Sequence, residues 1–193
     1  RLRRRIMFDA QCDLAALVYT EDHDPDEILR EFAAGLNASG HRAVGIVQLG
    51  RHYPDASLSA TLVPTGEQLR LFQDRNAYSS GCRLDVRQLT GVGERIAKTI
   101  DEGADILIVN RFGRQEREGK GLAHLIAHAL GADIPVVIAV PSHYFGDWIT
   151  FAGGMTVKLH CDRESLDAWW HLVSARHVNL RQPDHLTVCE IFK

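Results

Sequence analysis

Short, nearly continuous apolar runs alternate with amphipathic helical stretches along this chain, and that alternation narrows the fold more than any other feature. Leu14 to Tyr19, Arg42 to Leu49 (with Val44, Ile46 and Val47), Asp105 to Val109 and Pro135 to Val140 read as strands. A strand that is apolar on both sides has to be covered on both sides, which predicts a parallel sheet between two layers of helices. The crossovers are then right-handed. The expected fold class is α/β: a three-layer, mostly parallel sheet with helices on both faces.

The intervening segments carry helix signals. Asp24 is a plausible N-cap for a helix from Pro25 to Ser39, with Glu27 completing a capping box and Ile28, Leu29, Phe32 and Leu36 on one face. Asp85 is the expected cap of a second helix, whose stripe is Leu89, Val92, Ile96 and Ile100. Gln115 to Leu130 predicts a third, with Leu122, Leu125, Ile126 and Ala129 inward. A short helix over Tyr144 to Phe151, a weak strand over Thr156 to Leu159 and a final helix capped by Asp162 complete the pattern. Trp169 and Trp170 on that last helix read as core or dimer surface, so a homodimer stays open. Ser59 to Val63 and Gln68 to Phe72, joined by Pro64-Thr65-Gly66, read as a β-hairpin inserted at about 58–73.

With 193 residues the chain has room for one domain, expected at 14–175. Residues 1–13, which include Arg1, Arg3, Arg4 and Arg5, read as a basic leader outside it, and 176–193 as a tail or edge strand. A net charge of -3 gives no global basic field for nucleic acid. No apolar run approaches the roughly 20 residues of a membrane span. Four cysteines without a C-x-x-C pair fit a reducing, cytoplasmic setting and no metal centre. His124 and His128 have metal-like spacing, but they fall opposite the apolar stripe and lack a third ligand.

In a parallel sheet of this kind ligands bind beyond the carboxyl ends of the strands. The turn after the first strand holds Glu21, Asp22, Asp24, Asp26 and Glu27 and has neither Gly nor Lys. Such a turn repels a triphosphate; it reads as a solvated, well-capped helix start in preference to a cation site built on Asp22, His23 and Asp24. Past the third core strand come Asn110, Arg111, Phe112, Gly113, Arg114, Gln115 and Glu116, then Gly119, Lys120 and Gly121. Guanidinium groups among glycines and backbone donors suit an oxyanion, with Phe112 anchoring the loop. Cys82, Arg83 and Asp85 form a third candidate segment, in which Arg83 reaches toward the anion and Cys82 precedes a helix start. Pro141-Ser142-His143-Tyr144 is placed to line the same cleft.

The segments Gly81-Cys82-Arg83-Leu84-Asp85 and Asn110 to Leu122, together with Phe151-Ala152-Gly153-Gly154, resemble a bacterial family of uncharacterised domains across about Leu14 to Trp170. The resemblance implies genes beside molybdate transport or molybdenum-cofactor functions, and partners among those proteins. More distantly the layout is similar to small P-loop nucleoside triphosphatases. In those an acidic pair at a strand end holds magnesium and activates water. Here that pair falls on Asn110 and Arg111, which can do neither, while Gly113 and Glu116 are matched. The expected function is a non-hydrolysing binding protein for a small oxyanion, molybdate among them, or a phosphorylated ligand, with no cofactor and no catalytic residue. The alternatives are a divergent nucleoside triphosphatase or phosphotransferase, and a structural or regulatory partner of a transporter or cofactor-assembly enzyme.

Overall fold

A computed structural model describes residues 12–48, 59–70, 72–73, 83–84 and 86–181. In chain order the elements are β1 (Leu14–Tyr19), α1 (Pro25–Ala38), β2 (Ala43–Gln48), β3 (Ser59–Val63), β4 (Gln68–Arg70), β5 (Phe72–Gln73), β6 (Arg83–Leu84) and α2 (Val86–Asp101). They continue with β7 (Ile106–Asn110), α3 (Arg114–Arg117), α4 (Ala123–Gly131), β8 (Val136–Pro141), a 3-10 turn (Ser142–Tyr144), α5 (Phe145–Phe151), β9 (Val157–His160) and α6 (Arg163–Arg181).

Among the described residues seven strands form one sheet in the order β4-β3-β2-β7-β8-β1-β9. The five strands from β2 to β9 in that order pair in parallel, in registers such as Val44 with Leu107, Leu107 with Val136 and Leu14 with Val136. The inserted hairpin joins this sheet, with β3 antiparallel to β2 (Gly45 opposite Val63) and β4 outside it. The second arm of the hairpin is shorter than the sequence pattern suggests. Its ladder is described through Arg70, and Phe72 pairs instead with Leu84 in a separate two-stranded ladder.

Side chains alternate across the sheet and feed two cores. Ala15, Leu17, Ile106, Ile108, Val137 and Ala139 pack with Leu29, Phe32 and Leu36 of α1 and Leu166, Trp169 and Val173 of α6. Their neighbours Ala16, Leu107, Val109, Ile138 and Val140 pack with the stripes of α2 and α4 and with Trp148 of α5. The fold is therefore the three-layer α/β arrangement that the alternation dictates, and it is P-loop-NTPase-like in its layers and parallel sheet.

Asp13 and the far end of α6 are tied together. The Asp13 carboxylate pairs with the Arg176 guanidinium and accepts from His177 at 3.1 Å, while the Trp169 indole donates to the Cys12 carbonyl at 3.2 Å. Trp169 is buried, and Trp170 is half-buried against Phe32 and His41, so the tryptophan pair belongs largely to the core. Residues 1–11 and 182–193, with the expected leader and the edge strand over Leu186 to Phe192, lie outside the described residues. Among the described residues no helix is long and apolar enough to cross a membrane.

Candidate functional site

Because β1, β8 and β7 are sheet neighbours, their carboxyl ends open side by side. The cleft they form has a volume of about 450 Å³ and is lined by Tyr19, Thr20 and Glu21 after β1, Arg111 to Gly113 after β7, and Pro141 to Tyr144 after β8. This is where the rule for open parallel sheets puts a ligand, and Ser142, His143 and Tyr144 do face into it. Beyond Asn110 the chain stays against β8, the Phe112 amide donating to the Ala139 carbonyl at 2.8 Å. The Phe112 ring is fully buried and meets Trp148 edge-on at 5.1 Å and Phe151 at 5.5 Å. It anchors the loop, as the sequence suggests.

The residue that sequence reasoning missed is Asp26. It was counted among five solvated acids, yet it is only 2% exposed. Asp24 performs the capping, its carboxylate accepting from the Glu27 amide at 3.1 Å, and the next turn of α1 faces the sheet. There Asp26 accepts from the Asn110 side-chain amide and lies 3.4 and 3.5 Å from the Arg111 guanidinium. Burial pushes the Asp26 carboxyl above its ordinary range; the Arg111 charge and the Asn110 hydrogen bond oppose this without cancelling it, and Asp24 adds to the rise. A signal was available. The α1 stripe Leu29, Ala33 and Leu36, continued one turn backward, lands on Asp26.

The site therefore has charges opposite to those of a phosphate-hydrolysing site of this fold. The helix start holds an acid where a P-loop holds a cation, and the strand end holds Asn110 and Arg111 where an acidic pair is needed. Three of the turn's backbone donors are also engaged. The Thr20 amide donates to the His23 ring at 3.1 Å, the His23 amide to the Thr20 carbonyl at 3.1 Å, and the Glu27 amide to Asp24. No three metal-ligating side chains cluster among the described residues, so Asp22, His23 and Asp24 do not assemble a cation site there.

The loop after β7 departs from expectation. The single helix predicted over Gln115 to Leu130 is two pieces, Arg114–Arg117 and Ala123–Gly131. Glu116 is the cause. Its buried carboxylate accepts from the Gly113 amide at 3.1 Å and the Leu122 amide at 3.1 Å, drawing the loop's two ends together. Gly119 (φ 69°) and Gly121 (φ 60°) supply the left-handed turns, and a Cβ on Gly121 would lie 2.4 Å from Glu116 Oε1. The Gln115 carbonyl accepts from the Lys120 amide at 2.8 Å. Glu116 is thus a structural clasp.

The two arginines expected to share an anion do not share a cavity. Arg111 is 34% exposed at the side chain and opens on the strand-end cleft, with its guanidinium 5.6 Å from the Tyr19 ring. Arg114 points to a separate groove of about 500 Å³ with Arg117, Glu118, Asp147, Thr150 and Phe151. There it lies 3.4 Å from Glu118, and Arg117 pairs with Asp147 at 2.9 Å. Lys120 and Arg114 hold the Glu118 carboxyl below its usual range. Cys82 and Asp85 lie outside the described residues; Arg83 belongs to β6 by its backbone, and its side chain is not among those described. His124 and His128 are exposed, contacting the Gly121 carbonyl and Asp101 respectively.

The chain is 35% identical over 177 residues to the "Molybdenum import ATP-binding protein ModC 2" of Bradyrhizobium diazoefficiens. The match covers 89% of this chain and 19% of that protein, so the chain spans about a fifth of its relative's length. No solved structure is significantly similar. Over residues 14–169 the chain matches the family described as "Protein of unknown function (DUF2478)", and it belongs to that family.

Proposed function

We propose that this chain is a non-hydrolysing binding module for a small oxyanion or phosphorylated ligand, received in the cleft at the carboxyl ends of β1, β7 and β8. The observation that carries this reading is Arg111. It presents a partly exposed guanidinium in a cleft that Thr20, Ser142 and Tyr144 also line, the Thr20 hydroxyl lying 2.9 Å from the His23 ring. Such a mixture of one cation and several neutral donors recognises an oxyanion while leaving its hydration partly replaced by fixed dipoles. Hydrolysis is disfavoured by three features: the acid at Asp26, the amide and cation at 110 and 111, and the engagement of the Thr20, His23 and Glu27 amides in the turn after β1.

The relative's printed name speaks of molybdenum import, which makes molybdate the first anion to test. Its ATP-binding description refers to a protein five times longer, most of which this chain does not cover. A module attached to, or working with, a molybdenum transport protein is the setting this similarity favours.

Crystals soaked in molybdate test the reading, because molybdenum is located by its anomalous scattering. The expected peak lies within hydrogen-bond reach of the Arg111 guanidinium. A peak only in the Arg114 groove contradicts the assignment, and density for a nucleotide phosphate against the turn after β1 in parallel soaks with a nucleoside triphosphate revives the triphosphatase alternative.

A further inference from the structure

The strand-end cleft has a feature that simple anion receptors do not need: the one arginine that lines it among the described residues already has a buried carboxylate partner. Asp26 is 2% exposed, and Arg111 is its only cationic partner among the described residues. Both guanidinium contacts to Asp26 come from the same nitrogen, at 3.4 and 3.5 Å, longer than the roughly 2.7–2.9 Å of a well-formed charge-assisted pair. The pair is therefore not a locked bidentate fork. An anion entering the cleft competes with Asp26 for the same charge.

We propose that the cleft takes up its oxyanion together with a proton, which lands on the Asp26 carboxylate as Arg111 turns its charge toward the ligand. This rests on the anion-binding reading given above. Charge balance favours it. Arg111 with Asp26 is neutral; a bound dianion leaves the group with two excess negative charges while Asp26 stays ionised and with one once Asp26 is protonated, and a carboxylate this buried is costly to leave without a counter-ion.

Asn110 suits both states. Its side-chain NH₂ donates to Asp26 in the charged form, and its carbonyl, now 3.4 Å from Arg111 Nε, can accept from a protonated Asp26 after an amide flip. An acid at 110 could serve only one of the two states.

The acid that neighbours Asp26 in the turn pushes the same way. Asp24 on the same turn of α1 disfavours a second negative charge. Glu21 on the cleft rim after β1 adds a further acid beside Arg111. Cys161, after β9, feels Asp24 and Asp26 and is itself pushed up to about 12, so it stays neutral. Tyr19 lies under the guanidinium, and His143 lies across the cleft.

The test is calorimetric titration of the full chain with sulfate, which stays dianionic between pH 6 and 8. It is run in buffers of different ionisation heat, on the wild type and on Asp26→Asn, His143→Gln and His23→Gln. Histidine is the other side chain that takes a proton in this range, hence the two histidine variants. For the wild type the enthalpy should differ between buffers, and affinity should weaken by up to about tenfold per pH unit on raising the pH. His143→Gln should keep both effects and Asp26→Asn should lose both while still binding. Wild-type binding with equal enthalpies and equal affinity across that range overturns the proton linkage alone, as does a linkage that survives in Asp26→Asn. If Asp26→Asn does not fold, persistence of the linkage in both His143→Gln and His23→Gln supports the proposal and its loss in either overturns it. Absence of heat with both sulfate and molybdate at every pH overturns the anion-binding reading itself.

Discussion

Arg111 leaves the end of β7 and places its guanidinium 3.4 Å from Asp26, a carboxylate on the first turn of α1 that is 85 residues away in sequence. This pair joins the two strand-end segments that a nucleotide-hydrolysing relative of this fold would use for phosphate and magnesium. Here Arg111 pairs with Asp26, joining the two segments beside the cleft that Arg111 lines.

Removing the cation exposes the cost of the buried acid. Arg111→Ala is expected to lower stability by about 1–2 kcal/mol at pH 8, less than the ~3–5 of a fully buried pair because the guanidinium is partly in water. The loss should shrink at pH 5, where Asp26 is more readily protonated. Urea unfolding at the two pH values measures it; equal losses at both would show that Asp26 does not depend on Arg111.

Asp26 should also leave a signature in the pH dependence of the wild type. Its folded carboxyl titrates above the ordinary value of 3.8, so between that value and the raised one the folded state binds more protons than the unfolded state. Stability from this group is present at low pH and lost as pH rises through the raised value. Asp26→Asn lacks that slope and should gain on the wild type as pH increases through the window. The difference between the two proteins in urea midpoint, followed from pH 4 to 8, shows it; a constant difference would mean an unshifted carboxyl.

Glu116 should behave as a loop clasp and not as a catalytic base. Glu116→Ala removes two charge-assisted hydrogen bonds to backbone amides and is expected to cost about 2–3 kcal/mol. Gly121→Ala combines a strained backbone with a clash against the same carboxylate and should cost about 1–3 kcal/mol. Thermal unfolding of both variants checks this. Mg²⁺-dependent phosphate release by the wild type that vanishes in Glu116→Ala, with stability unchanged, would contradict it.

The strands, the sheet class and the cleft were legible because they rest on local apolar periodicity and on where parallel strands end. Asp24, Phe112 and the α2 and α4 stripes were legible for the same reason. Asp26 was harder to see because charge usually means exposure, and only its phase on the α1 stripe marked it as inward. The break between α3 and α4 was hidden because the apolar stripe Leu122, Leu125 and Ile126 lies wholly on the α4 side and carries no signal about where the helix begins. What interrupts the helix is one carboxylate reaching two amides, a contact fixed by tertiary geometry and not by propensity. Arg111 and Arg114 looked like one clamp because they are close in sequence, but the one-turn helix that starts at Arg114 sends them to different sides of the loop.

That separation gives the most direct measurement of whether the strand-end cleft is the anion site. Molybdate is titrated calorimetrically into the wild type, Arg111→Ala and Arg114→Ala under identical low-salt conditions. Binding should be lost or weakened by about tenfold or more in Arg111→Ala, the scale of one charge-assisted contact, and unchanged within about twofold in Arg114→Ala. Equal binding by wild type and Arg111→Ala, or loss confined to Arg114→Ala, would contradict the assignment.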